Sequence, residues 1–209
     1  MKQLIINADG FGFTYGNNRA ILEVLAHGFI RSVSVNVTWP AVEEVQNLMR
    51  HFPHVTVGVH LNLSVGPPVL SPAEIPSLVD SAGEFWGERF PARARKRLLD
   101  PQEMRRELAA QIDRLRQYGV TITHWDSHQG RHLHPGFFQA ALAVGREARI
   151  PASRSHHYYM ILPRGRRLIG LANFYRHHPR QSVSHMLAAV RTRAVARAGF
   201  RLPDRRLVL

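Results

Sequence analysis

The feature that most constrains the fold is an alternation of short apolar runs with stretches of helical periodicity. Leu4–Ala8, Ser32–Thr38, His54–Leu63 and Thr121–Trp125 read as strands. Between them, Ala20–Ala26 stops at Gly28, and Ala41–Arg50 opens behind Pro40. Asp100–Tyr118 carries Leu108, Ile112 and Leu115 on one helical face, with Asp100 as its cap and Gly119 as its stop. Pro135–Ala148 is a further helix. Strands that alternate with helices run parallel through crossover connections, so the chain is expected to be α/β, a barrel or a doubly wound sheet. The stretch from Gly66 to Arg95 is rich in Pro, Gly and Ser and has little periodicity. An insertion of that length is expected to be a lid or a binding segment. After Pro151 the pattern weakens. Ser184–Ala198 looks helical and basic, and Arg205–Leu209 resembles the start of a strand.

At 209 residues the chain is long enough to bury a core, and one domain over 1–209 is expected, with a less regular basic segment at 151–209. There is no Cys, so disulfides and thiolate metal sites are excluded. Any metal must use His, Asp, Glu, backbone oxygen or water. Met1-Lys-Gln-Leu-Ile-Ile-Asn7 runs straight into a strand pattern and reads as no signal peptide. No apolar run approaches the ~18 residues that span a bilayer. A cytoplasmic location is therefore expected, and the sequons at Asn36 and Asn62 read as chance. The formal charge of +13 is uneven. Residues 1–88 hold 4 Lys/Arg against 8 Asp/Glu, while residues 89–209 hold 24 against 7. A solvated Arg-rich face explains this more simply than nucleic-acid binding, because no nucleic-acid motif accompanies the charge.

Chemistry-bearing residues collect at the ends of the strand-like runs, where α/β folds place their sites. Asp9 closes the first run and His60 the third; His128 follows the fourth. A His inside an apolar run is often only a satisfied core residue. Here His60 and Asn62 share a face by alternation, so they are neighbours if that face lines a pocket. His124, His128, His132 and His134 fall within eleven residues together with Asp126. Neutral imidazoles suit Zn or another divalent cation, and a nearby Asp can orient them; the alternative is a surface His cluster. Asp after a strand is a common turn former. Against that, Gly10 and Gly12 beside Asp9 let a substrate approach closely. A carboxylate with a metal-bound water is the minimal equipment for hydrolysis.

Leu4-Ile-Ile-Asn-Ala-Asp-Gly-Phe-Gly12, Asn18-Arg-Ala-Ile21, Gly58-Val-His-Leu-Asn-Leu63, Pro76-Ser-Leu-Val-Asp80 and Thr123-His-Trp-Asp-Ser-His-Gln129 together resemble the YdjC-like (ChbG/HpnK) carbohydrate deacetylases. The resemblance runs in order from Lys2 to about Ile150. It implies an α/β fold, a NodB-like distorted (β/α) barrel with parallel strands. It also implies hydrolysis of an N-acetyl group on an amino sugar with one divalent metal ion, Mg before Zn or Co. By the same resemblance Asp9 matches the presumed general base, and His60 and His128 match the two metal-binding histidines. Asp126 fits an orienting role behind them; Asn62 and His132 are expected beside the metal site or the substrate.

Three departures stand out against that family. Its second Asp, a metal ligand, is Gly10 here. The middle His of its His-x-His-x-His run is Gly130, with the last kept as His132. The C-terminal strands and a late His-Pro-Gly motif are missing, so the barrel is expected to be incomplete at that end. Either Asp9 ligates and His132 handles protons, or metal binding is weak. Three readings follow: a metal-dependent deacetylase, a catalytically impaired relative acting as a sugar-binding module, and a basic protein that lies on an anionic membrane through His185–Arg197. The expected partners are an N-acetylated amino sugar or glycolipid, an anionic membrane surface and a second copy of the chain. No specific nucleic acid is expected.

Overall fold

A computed structural model describes residues 4–155, 176 and 179–204. The chain forms two compact units, Met1–Ile150 and Pro151–Leu209. In the first, four strands are joined by helices: β1 (Asn7–Phe11), α1 (Tyr15–Ala26), β2 (Ser32–Val35), α2 (Val45–His51), β3 (Thr56–Leu61), α3 (Phe90–Arg95), α4 (Pro101–Gln117), β4 (Ile122–Ser127) and α5 (Pro135–Glu147). The strands pair in the order β1-β2-β3-β4, every pair parallel. The expected α/β class and parallel pairing are therefore those observed.

Alternation gives the sheet two unlike faces. Val33, Val35, Val57, Val59, Leu61 and Trp125 are buried on one of them, and the helices cover this side, with α1 packed on β1 and α4 on β3. Asn7, Asp9, Ser32, Ser34, His60, His124 and Asp126 alternate onto the other face, which is polar. Gly58 belongs to that row and pairs with His124, and a Cβ on it would run into the imidazole of His124. The missing side chain is what lets the ring lie across the sheet.

One expectation is corrected. The first strand does not occupy Leu4–Ala8. Leu4, Ile5 and Ile6 are 77%, 68% and 44% exposed. The reason is that pairing begins only at Asn7 opposite Ser32, so the residues before it have no sheet neighbour. Asp9 consequently lies inside β1 and does not follow it. The stretch from Gly66 to Arg95, which has little periodicity, carries ordered structure of its own. Val79 and Phe85 form an antiparallel bridge, Gly87–Arg89 is a 3-10 turn, and α3 follows. Ile75, Leu78, Phe85 and Phe90 anchor it in the core. Apolar residues spaced by turns rather than by a regular period hide such a segment from periodicity arguments.

In the second unit, α6 (Pro179–Arg197) leads to Phe200, and Arg201 bridges Ala152 in parallel. Val195 and Phe200 are buried there. The expected strand at Arg205–Leu209 lies outside the described residues.

Candidate metal and acid–base site

β1 carries the first residue of the site through a kink. The pairing register shifts between Asp9 and Phe11, and Gly10 stands in the bulge with φ 86°. The bulge leaves Asp9 exposed while Phe11 turns into the core. Asn7, two residues earlier on the same face, donates from Nδ2 to Asp9 Oδ1 at 2.7 Å.

β3 and β4 bring the next pair together directly. His60 pairs with Asp126 across the strands. Its Nδ1 lies 2.7 Å from Asp126 Oδ1, both side chains almost fully buried. The contact occupies Nδ1, so Nε2 is the nitrogen that the ring turns to other partners. The second Asp126 oxygen is also engaged, since Ser34 Oγ donates to Oδ2 at 3.0 Å. Ser34 in turn accepts from Asn7 Nδ2 at 2.9 Å and stands 3.3 Å from His124 Nε2. The polar face is thus one connected network across all four strands.

Asp9, His60 and Asp126 each offer a ligand atom, and these atoms all lie within 4.8 Å of one another. Carboxylate oxygen and imidazole nitrogen form a donor set that suits a divalent cation. His128 stands at the end of β4 with its ring 5.7 Å from that of His60, edge to face. Burial, then the adjoining His60 and Arg131, hold its pKa well below the usual 6.5, at about 4, with Asp9 pulling the other way. The ring is therefore neutral at pH 7, the form that has a lone pair to give. Directly after it the backbone turns left-handed twice, at Gln129 (φ 49°) and Gly130 (φ 65°). A non-Gly residue held there beside a candidate site is the kind of strain that such sites accumulate.

The remaining expected residues lie close by but face other tasks. His132 is buried, its Nδ1 bonded to Ser127 Oγ and its ring edge-on to Trp125 and Phe137. Asn62 is fully buried: its Oδ1 accepts from the backbone of Ser64 and Val65, and its Nδ2 donates to Val65 O at 2.7 Å. Those bonds hold the turn that follows β3. Sequence reasoning passed over Asn7 and Ser34, and gave His124 no role of its own. The alternation Ser32-Val-Ser34-Val does place two hydroxyls on one face, but one strand alone does not say which face meets the site.

Fold and site together define a parallel α/β protein whose polar sheet face gathers carboxylates and imidazoles at the strand ends. The profile of the family described as YdjC-like protein matches residues 3–207, and the chain belongs to that family. It is 36% identical over 152 residues to a carbohydrate deacetylase of Geobacillus stearothermophilus, covering 72% of this chain and 58% of that one. A chitooligosaccharide deacetylase of Yersinia pestis is 32% identical over 157 residues, covering 75% and 60%. A solved structure from Enterococcus faecalis, assigned to cellobiose-phosphate cleavage, superposes with a TM-score of 0.65 at 32% identity, over 72% of this chain and 57% of that one. The NodB-like parallel fold expected from the sequence is the one this likeness supports. The chain spans somewhat over half the length of the relatives it matches.

Proposed function

We propose that the chain is a metal-dependent hydrolase that removes an N-acetyl group from an amino sugar, oligosaccharide or glycolipid. The observation that carries this reading is the convergence of Asp9 and the His60–Asp126 pair beside His128. His60 and His128 would hold one divalent ion, Mg, Zn or Co. When bound, that ion supplies Lewis-acid polarisation of the acetamide carbonyl and acidifies a water. Asp126 fixes the His60 ring and raises its basicity, and Ser34 fixes Asp126. Asp9, the exposed carboxylate of the group, takes the proton from the attacking water. The family profile spans both compact units, which supports reading 1–209 as a single family domain.

The test is acetate release from N,N′-diacetylchitobiose by the purified protein with Mg, Zn or Co added, alongside metal analysis. Asp9→Asn separates the two roles of Asp9. Metal kept with turnover lost marks a base, and metal lost marks a ligand. No metal binding by the wild type would sink the reading.

A second reading is supported by Gly10. With φ 86° and the Phe13 ring 2.9 Å from where a Cβ would lie, this position holds no carboxylate. A sugar-binding module without turnover would bind amino sugars yet release no acetate with any of the three metals. Contact with an anionic membrane is a separate proposal. Among the apolar residues expected to make it, Leu187 and Val190 are exposed and Val195 is buried. Among the described residues no helix is long and apolar enough to cross a membrane. Salt-sensitive binding to anionic liposomes is the expected result; absent or salt-insensitive binding removes the idea. A homodimer is tested by sedimentation.

A further inference from the structure

We propose that Trp39 and Phe13 form an aromatic platform on which a pyranose ring of the substrate stacks, beside the His60–His128 cluster. The inference rests on the sugar reading above and names the surface that would select the sugar. A string of rings leads outward from the buried site. His60 faces His128 at 5.7 Å, His128 faces Phe13 at 5.2 Å, and Phe13 faces Trp39 at 4.5 Å with a 40° tilt. The inner end of this string is buried, whereas His128, Phe13 and Trp39 are only half-buried. Trp125, Phe11, Phe90 and Phe137 are by contrast all within 3% of complete burial. Two large rings left partly open next to a polar cluster are what a carbohydrate site needs. The C–H bonds on the face of a pyranose meet the negative π face of an aromatic ring, while its hydroxyls point outward at the rim.

Both rings are held rather than free to swing. Gly66 lies flat against the indole of Trp39, and a Cβ on it would overlap the ring. Gly10 makes room for Phe13, whose Cδ2 and Cε2 lie 2.9 and 3.1 Å from where a Cβ on that glycine would be. The loops that carry the rings are locked together at the carboxyl ends of β1 and β2. Asn36 N donates to Phe11 O at 2.7 Å, and Gly12 packs against the Asn36 carbonyl. Asn36 Oδ1 then accepts from both Thr38 N and Thr38 Oγ1. Rigid rings lose little freedom on binding, so their contact area translates efficiently into affinity. The residue that leaves position 10 without a carboxylate is therefore the one that seats the platform.

The test uses N,N′-diacetylchitobiose and cellobiose, titrated calorimetrically and by Trp fluorescence. Of the three Trp residues, Trp125 is fully buried and Trp86 lies under Arg93, so Trp39 is the reporter next to the site. Both sugars should bind, because stacking reads the ring face and not the acetamide. Trp39→Ala should weaken both about tenfold, and Trp39→Phe should stay within about threefold. With the disaccharide as substrate, Trp39→Ala should raise KM with kcat nearly unchanged. The wild-type fluorescence change should vanish in Trp39→Phe, a variant that keeps a ring in place and guards against misfolding. Binding by Trp39→Ala within twofold of wild type overturns the platform, as does a wild type that binds neither sugar. Trp39-dependent binding with no acetate release under any metal leaves the platform standing and removes the deacetylase reading instead.

Discussion

The first unit buries polar side chains in two places and uses them in opposite ways. On α4, Glu103, Glu107 and Gln111 repeat every fourth residue and are all buried. Each is matched to backbone of the segment after β3. Glu103 accepts from Ser77 N, Glu107 accepts from Val69 N and Leu70 N, and Gln111 exchanges two bonds with the backbone of Asn62. On the sheet, the buried His60 and Asp126 and the exposed Asp9 beside them are matched largely to other side chains, and their ligand atoms converge within 4.8 Å. The first set ties down a loop. The second brings like and titratable groups together, an arrangement with little value for stability and a use in chemistry. Burial of polar residues alone does not distinguish a site from a clamp; the partners do.

The comparison can be broken from either side. The largest effect is expected for His60→Ala, which should lower acetate release by about 10²-fold or more. Wild-type turnover in that variant would remove the sheet cluster from the chemistry. Gln111→Ala should instead cost about 1–3 kcal/mol in urea unfolding, since it leaves the Asn62 N–H and C=O unmatched. Turnover per folded molecule should stay close to wild type, and a matching collapse of kcat would merge the two sets into one. Ser34→Ala removes the hydroxyl that steadies Asp126 and should weaken metal affinity about tenfold, read by competition with a chelator. Unchanged affinity would reduce Ser34 to a packing residue.

The smallest effect concerns Glu107. Burial pushes its carboxyl above the ordinary 4.5, although the bonds from Gln111, Val69 and Leu70 pull it down. A folded value above the unfolded one means the folded chain binds that proton more tightly. The contribution is complete below 4.5 and is lost as pH rises through the raised value. The stability advantage of wild type over Glu107→Gln should therefore shrink as pH rises across that window. An advantage that grows with pH would place the acid among ordinary surface carboxylates and not in a buried clamp.

Much of the frame is legible in the sequence. The cap at Asp100 is observed, with Oδ1 accepting from Gln102 N and Glu103 N, and Gly119 ends α4 with φ 82°. These signals are local, because a cap or stop acts within one turn of chain. The adjacency of His60 and Asp126 was not local. They are 66 residues apart and meet through the β3–β4 register, which no spacing in the sequence encodes. The exposure of Leu4–Ile6 and the order within Gly66–Arg95 were missed because both depend on which neighbour arrives.

By itself, then, the sequence settled the α/β class, the parallel order of alternating elements, and the residues rich enough in chemistry to suspect. It did so because periodicity and capping report on backbone geometry within a few residues. Only the tertiary structure decided that Asp126 stands behind His60 and that Gln111 clasps Asn62. It also decided that Gly10, as a bulge, gives its space to the Phe13 ring. Each of these depends on strand register or on the shape of a packed neighbour, and both are set when the chain folds together across long separations.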